Sequence, residues 1–324
     1  MFYPLRDVCV NDNRMSFTII FPHQYHVFRC SPFELLFTKS FSDISLGSVT
    51  TCQGMRFIAV SGLPADTVFN TKCVRVYDHD KNDQMIFETK FDEHILNMRL
   101  TPEFLVCAFH KHVEVWNIIE KQKINVFPAG VNVHAPIDIS HDFSALAMSG
   151  EVPEDVAISH LQNLKLKNFH AADNPVSLIR FSRTESLFAT TSSAGHAIKI
   201  WDQNTGNCVN KFKRGNTASI IHSIDFSPDN NFVALFSQND TLHFFDNSKR
   251  KMTGNPSTTR SIHRISIPDM QNVVLSWFEQ DKIAVLSLDG KMVVLTIDEQ
   301  CHEIARESIQ FMQRIIEIVP QDST

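Results

Sequence analysis

One pattern constrains this chain more than any other. A short alternating apolar run recurs roughly every 40–50 residues and often closes on Asp or Asn. It appears as Tyr25-His26-Val27-Phe28, Val74-Arg75-Val76-Tyr77-Asp78, Val113-Glu114-Val115-Trp116-Asn117 and Asp155-Val156-Ala157-Ile158. It returns as Ile198-Lys199-Ile200-Trp201-Asp202, Leu242-His243-Phe244-Phe245-Asp246 and Met292-Val293-Val294-Leu295. Alternation puts successive side chains on opposite faces, which predicts β-strands. A period of this length is that of a propeller blade of four strands. Seven runs therefore predict an all-β, seven-bladed β-propeller, with residues 1–324 in one ring.

The strands around these runs are also visible. Ser177-Leu178-Ile179-Arg180-Phe181-Ser182 precedes Ser186-Leu187-Phe188-Ala189-Thr190-Thr191, and Ser223-Ile224-Asp225-Phe226 precedes Asn231-Phe232-Val233-Ala234-Leu235-Phe236. Short polar turns join each pair, as in hairpins. Only Trp201-Asp202 is a full WD dipeptide; Trp116-Asn117 departs by one residue. Residues 301–318 can be read with a helical period, but strands are expected there because a ring needs its last blade completed. Residues 247–260, with Lys249-Arg250-Lys251, Gly254 and Pro256, read as an exposed loop that interrupts the sixth repeat.

A formal net charge of −6 argues against a general nucleic-acid binder, so any anion site must be local. The seven Cys form no CxxC pair and lie scattered on predicted strands, which suggests free thiols in a reducing compartment. No signal peptide or transmembrane run is expected, so contact with a membrane would be peripheral. His23 and His26 lie close together, and His110 and His112 form an HxH. No Cys or carboxylate cluster completes a metal set, so no metal or other cofactor is expected. No phosphate-binding glycine loop or catalytic signature is present, and no enzymatic activity is expected.

Within this frame, Phe212-Lys213-Arg214-Gly215 reads as a strand end, two adjacent cations and a glycine turn. Neighbouring side chains diverge in a strand, so Lys213 and Arg214 are expected to serve two pockets, one on each side. Gly215 would let the chain turn sharply.

These residues, with the repeats around them, resemble the PROPPIN family of phosphoinositide-binding WD-repeat propellers, whose motif is Phe/Leu-Arg-Arg-Gly. Phe188-Ala189-Thr190-Thr191-Ser192 with Ile198-Lys199-Ile200 resembles the strand pair before that motif. Ser237 with Thr241-Leu242-His243-Phe244-Phe245 resembles the pair after it, and Ser261-Ile262-His263-Arg264-Ile265 resembles the strand resuming after the family's membrane loop. The resemblance implies two headgroup pockets: one from Thr190, Ser192, Lys199 and Lys213, the other from Arg214, Ser237, Thr241 and His243. It implies an autophagy adaptor, cytoplasmic and peripheral on pre-autophagosomal or endosomal membranes. The lipid would be phosphatidylinositol 3-phosphate, with the 3,5-bisphosphate as a further candidate. Protonated His243 would donate better, so mild acid would tighten binding.

The departures matter. Lys199 and Lys213 stand where the family has Arg, and lysine lacks the planar fork that grips phosphate, so the first pocket should be the weaker. The loop is short and Met252 is its only sizeable apolar side chain, so insertion should be shallow; Lys249, Arg250, Lys251 and Arg260 would instead face anionic lipid. Asn11-Asp12-Asn13 resembles a family turn that docks the autophagy lipid-transfer protein, with Asn11 and Asn13 as the contact residues. The rival reading is a WD-type protein-interaction scaffold that touches no lipid.

Overall fold

The computed structural model describes residues 5–52, 54–184, 186–251 and 256–318. They form seven sheets around a central channel, and each recurring run is the third strand of its sheet. The blades begin at Asp7–Val10, Leu46–Cys52, Asn97–Leu100, Ile137–Ile139, Val176–Phe181, Ile221–Phe226 and Val274–Glu279, and these first strands line the channel. Within each blade the four strands pair antiparallel in chain order. The third strands are largely buried, as in Leu242 to Phe245, while outer strands such as Glu303–Gln310 are exposed almost throughout. The Asp or Asn that ends a run has a local reason. Asp202 Oδ1 accepts from the amides of Asn204 and Thr205 at 3.1 and 2.8 Å, and Asn117 Oδ1 does the same for Ile119 and Glu120. Each caps the turn that leads to the outer strand.

The core is not one body but seven apolar clusters, one between each pair of neighbouring blades. Among the described residues the ring closes without strand exchange. Blade one uses only the N-terminal strands and blade seven only the C-terminal ones. Closure rests on packing, with Phe17, Phe21 and Phe28 of blade one against Phe278, Leu286 and Met292 of blade seven. The stretch expected to be strands throughout is half that: Glu303–Gln310 completes blade seven, then Phe311–Ile318 forms a helix. Phe311 and Ile315 are four apart, share a helix face, and plug the seam between blades seven and one. Gly290, at φ 90°, makes room: a Cβ there would sit 2.1 Å from Met312 Cγ.

All seven Cys are free, and five are buried. Burial pushes the Cys30 and Cys301 thiols up to about 12. Among the described residues, no helix is long and apolar enough to cross a membrane.

Two buried histidines tie stability to pH. His26 is fully buried, its Nδ1 is 2.7 Å from Thr38 Oγ1, and its Nε2 has no partner. Burial pushes it from the usual 6.5 down to about 4, and His243 shifts likewise. Between those values the unfolded chain binds more protons than the folded one. The contribution is therefore complete above pH 6.5 and is lost as pH falls towards 4, at about 1.4 kcal/mol per pH unit for each group. The melting temperature should fall between pH 7 and pH 5, and His26→Phe should flatten that dependence.

Candidate functional site: a basic cavity at the rim of blades five and six

The fourth strand of blade five is Cys208–Lys213. Phe212 is fully buried and stacks on Phe245 of blade six, with ring centroids 5.1 Å apart. That fixes the strand's orientation: Phe212 and Arg214 turn towards blade six, and Lys213 turns the other way. Among the described residues neither cation pairs with a carboxylate. Arg214 donates instead to carbonyls, from Nε to Gly195 O at 2.6 Å and from Nη2 to Thr217 O. Gly215 is not the conformationally demanding glycine that the sequence suggested, because a Cβ there would meet nothing within 4 Å. Gly195 is. Its φ is 62°, and a Cβ would fall 1.9 Å from Ser219 O.

The loop reorganises the site. Its described parts run along the edge of blade five. Lys251 N donates to Val209 O at 3.0 Å, and Thr258–Arg260 then runs as a parallel fifth strand against residues 211–213, with Arg260 opposite Lys213. This covers an edge whose backbone groups would otherwise lie unpaired. The chain next crosses the end of the Lys213 strand and enters blade six as His263–Ser266. A cavity of 530 Å³ results, lined by residues 213–216 and 260–264. Lys213 and Arg214 thus share one cavity. Strand alternation sends them apart, but the crossing segment spans both directions. Arg260 and Arg264 complete four cations, His263 adds a ring, and among the described residues no carboxylate lines the cavity.

The other expected residues divide sharply. Thr190, Ser192 and Lys199 share the blade-four side with Lys213, but none of the three lines the cavity. Thr190 is 3% exposed and its hydroxyl accepts from Trp201 Nε1 at 2.9 Å, so it belongs to the core. Lys199 Nζ donates to Ala171 O at 2.6 Å, and burial lowers its pKa. On the blade-six side, Ser237 is fully buried and bonds Thr241 O at 3.4 Å, while Thr241 Oγ1 bonds Asn239 O at 2.8 Å. His243 is 4% exposed, opposite Arg264 in the sheet. Burial, then the charges of Arg214 and Arg264, hold it neutral down to about pH 4. Mild acid therefore does not turn His243 into a cationic donor, contrary to expectation. The residue that sequence reasoning missed is Arg264. Its signal was present, since it lies in the strand that follows the loop and pairs with His243.

The basic loop also divides. Lys249 and Lys251 are exposed and Arg250 is half-buried, close to the Val209 end of the strand. Four residues of strand separate Val209 from Lys213, about 13 Å. Arg260 alone of the four loop cations lines the cavity. Met252 and Gly254 lie outside the described residues.

Comparison with known proteins decides the family. The PROPPIN family model matches residues 56–264, well over half of the chain. The chain belongs to the PROPPIN family. It is 25% identical over 292 residues to Autophagy-related protein 21 of Schizosaccharomyces pombe, covering 87% of this chain and 85% of that one. It is 22% identical over 246 residues to Autophagy-related protein 18 of Mycosarcoma maydis, covering 68% and 54%. The solved structure of Kluyveromyces lactis Hsv2 superposes with a TM-score of 0.80 at 18% identity, over 94% of this chain and 99% of that one.

In this PROPPIN the N-terminal turn is structural at its first position. Asn11 is 1% exposed. Its Nδ2 donates to Ser16 Oγ at 2.8 Å, and its Oδ1 accepts from Thr18 and Thr51 at 2.7 and 3.2 Å. It has no surface to offer a partner, because a turn at a blade interface needs its polar groups satisfied internally. Asn13 is half-buried, and its Oδ1 caps the amides of Met15 and Ser16.

Proposed function

We propose that this PROPPIN is a phosphoinositide-reading adaptor of autophagy. It docks peripherally on membranes carrying phosphatidylinositol 3-phosphate, on pre-autophagosomal or endosomal surfaces facing the cytoplasm, and recruits autophagy factors. The observation that carries this reading is the rim cavity: four cations and, among the described residues, no carboxylate, in a chain with net charge −6. A phosphate monoester offers several acceptor oxygens, and Arg214, Arg260 and Arg264 supply planar donor forks while Lys213 supplies a point charge. The exposed Lys249 and Lys251 add attraction to an anionic surface, about 1 kcal/mol each and weaker in salt. The autophagy names of the relatives support the pathway. A structural relative, KlAtg21, is solved in complex with the coiled coil of AgAtg16, at a TM-score of 0.76 and 19% identity. An autophagy protein on a blade that the lipid leaves free fits that precedent. Docking of the lipid-transfer protein, if it uses the N-terminal turn, rests on Asn13 and not on Asn11.

Liposome flotation tests the lipid reading. The protein should float with vesicles containing phosphatidylinositol 3-phosphate, and separately with the 3,5-bisphosphate, but not with phosphatidylcholine alone. Equal recovery with all three, or none with any, would leave the scaffold reading in its place.

A further inference from the structure

A second cluster of arginines lies far from the rim. The central channel holds a cavity of 340 Å³ lined by the first strands of all seven blades. Late in those strands, or in the turns just after them, Arg14, Arg99, Arg180 and Arg183 meet Asp138 and Asp225. Asp225 is fully buried; it accepts from Arg14 Nη1, from Arg180 Nε at 3.3 Å and from Trp277 N at 2.8 Å. Asp138 accepts from Arg99 Nε at 3.1 Å and from Phe181 N at 2.8 Å. These mutual bonds gather the group at one mouth of the channel, where the first strands finish. Asp7 opens its strand, about 10 Å along from Val10. Asp12 turns to blade two and accepts from Gly54 N at 3.2 Å.

Four guanidiniums therefore face three carboxylates, Asp138, Asp225 and Asp12, the last with its second oxygen buried without a partner, and the guanidinium donors still outnumber their acceptors. Arg183 spends Nη2 on Trp277 O, and its buried Nε has no partner. Among the described residues Arg180 spends only Nε, although a guanidinium carries five donors. Burial first, and then the Arg180 charge, pull Arg14 down to about 9 against the opposing charges of Asp225 and Asp138. A buried donor without an acceptor costs free energy, and planar forks match the spacing of oxyanion oxygens.

We propose that this arginine-lined mouth binds a small oxyanion of the phosphate class, free or carried on a small polyol. The site is separate from the rim cavity and does not depend on its function. The cavity admits the ion with part of a carrier, and His141 stands among its lining residues as a further donor.

The test uses the full chain with Lys213→Thr, Arg214→Thr, Arg260→Ser and Arg264→Ser, so that the rim keeps none of its four cations. In phosphate-free buffer of matched ionic strength, inorganic phosphate and a soluble inositol phosphate are titrated separately, with melting temperature and calorimetry as readouts. A rise in melting temperature with either probe is expected. Phosphate alone would assign the free ion; a tighter response to the ester would assign the carried form. Arg183→Gln leaves Asp225 its bonds from Arg14 and Arg180, and should weaken the apparent affinity about tenfold or more. Arg99→Gln should do the same and serves if Arg183→Gln does not fold. No response in the rim-disabled protein, or an equal response in the channel variants, would overturn the proposal. Neither result bears on flotation by the native chain.

Discussion

Asp225→Ala is expected to cost about 3–5 kcal/mol of stability, several times the loss from breaking an exposed ion pair. The reason is what the change leaves behind. Arg14 is 6% exposed and comes from blade one, while Arg180 and Arg183 come from blade five; Asp225 itself belongs to blade six and also receives the Trp277 amide of blade seven. Burial disfavours its charge, yet Arg14, Arg180 and Arg183 together hold its carboxyl below the usual range. Removing it strands those cations in a poorly hydrated site and frees a buried amide. It also cuts a tie between the two ends of a ring that, among the described residues, no strand exchange closes. Urea unfolding should show a lower midpoint. Glu279→Ala, which breaks the half-exposed pair with Lys282, should cost under about 1 kcal/mol by comparison. If the two variants unfold at the same urea concentration, the buried network does not hold the ring.

Lys213→Thr combined with Arg214→Thr is expected to remove lipid binding while leaving the fold intact. Two cations at an anionic headgroup are worth about 2 kcal/mol, or roughly thirtyfold in affinity, which takes flotation down to the level seen without the headgroup. The stability cost should be small. Lys213 makes no ion pair among the described residues, and Arg214 gives up only bonds to two carbonyls in a half-exposed turn. Arg264→Ser should weaken flotation in the same direction, because Arg264 lines the same cavity from the opposite wall. Undiminished flotation by the double variant, with an unchanged melting temperature, would place the lipid contact elsewhere.

The number of blades could be read from spacing, because a blade is a local unit and its third strand repeats a two-residue alternation that any window reveals. The Asp and Asn at the ends of those strands were legible for the same reason: Asp202 and Asn117 bond amides two and three residues away. The direction of Lys213 and Arg214 was likewise local. What they face was not. The two expected pockets became one cavity because residues 258–264 come back across the strand from beyond blade six's third strand. Alternation says where a side chain leaves the backbone, and nothing about what chain arrives to meet it. Burial was hidden for a related reason. Thr190, Ser237 and Asn11 have the right chemistry for a surface site, yet Trp201, blade six's own hairpin and the neighbouring blade enclose them. The helix after Gln310 followed the same logic, since an open seam between the first and last blades favours a two-turn apolar plug over another strand. Short-range periodicity thus specified the repeating unit, and the pockets formed where distant segments crossed it.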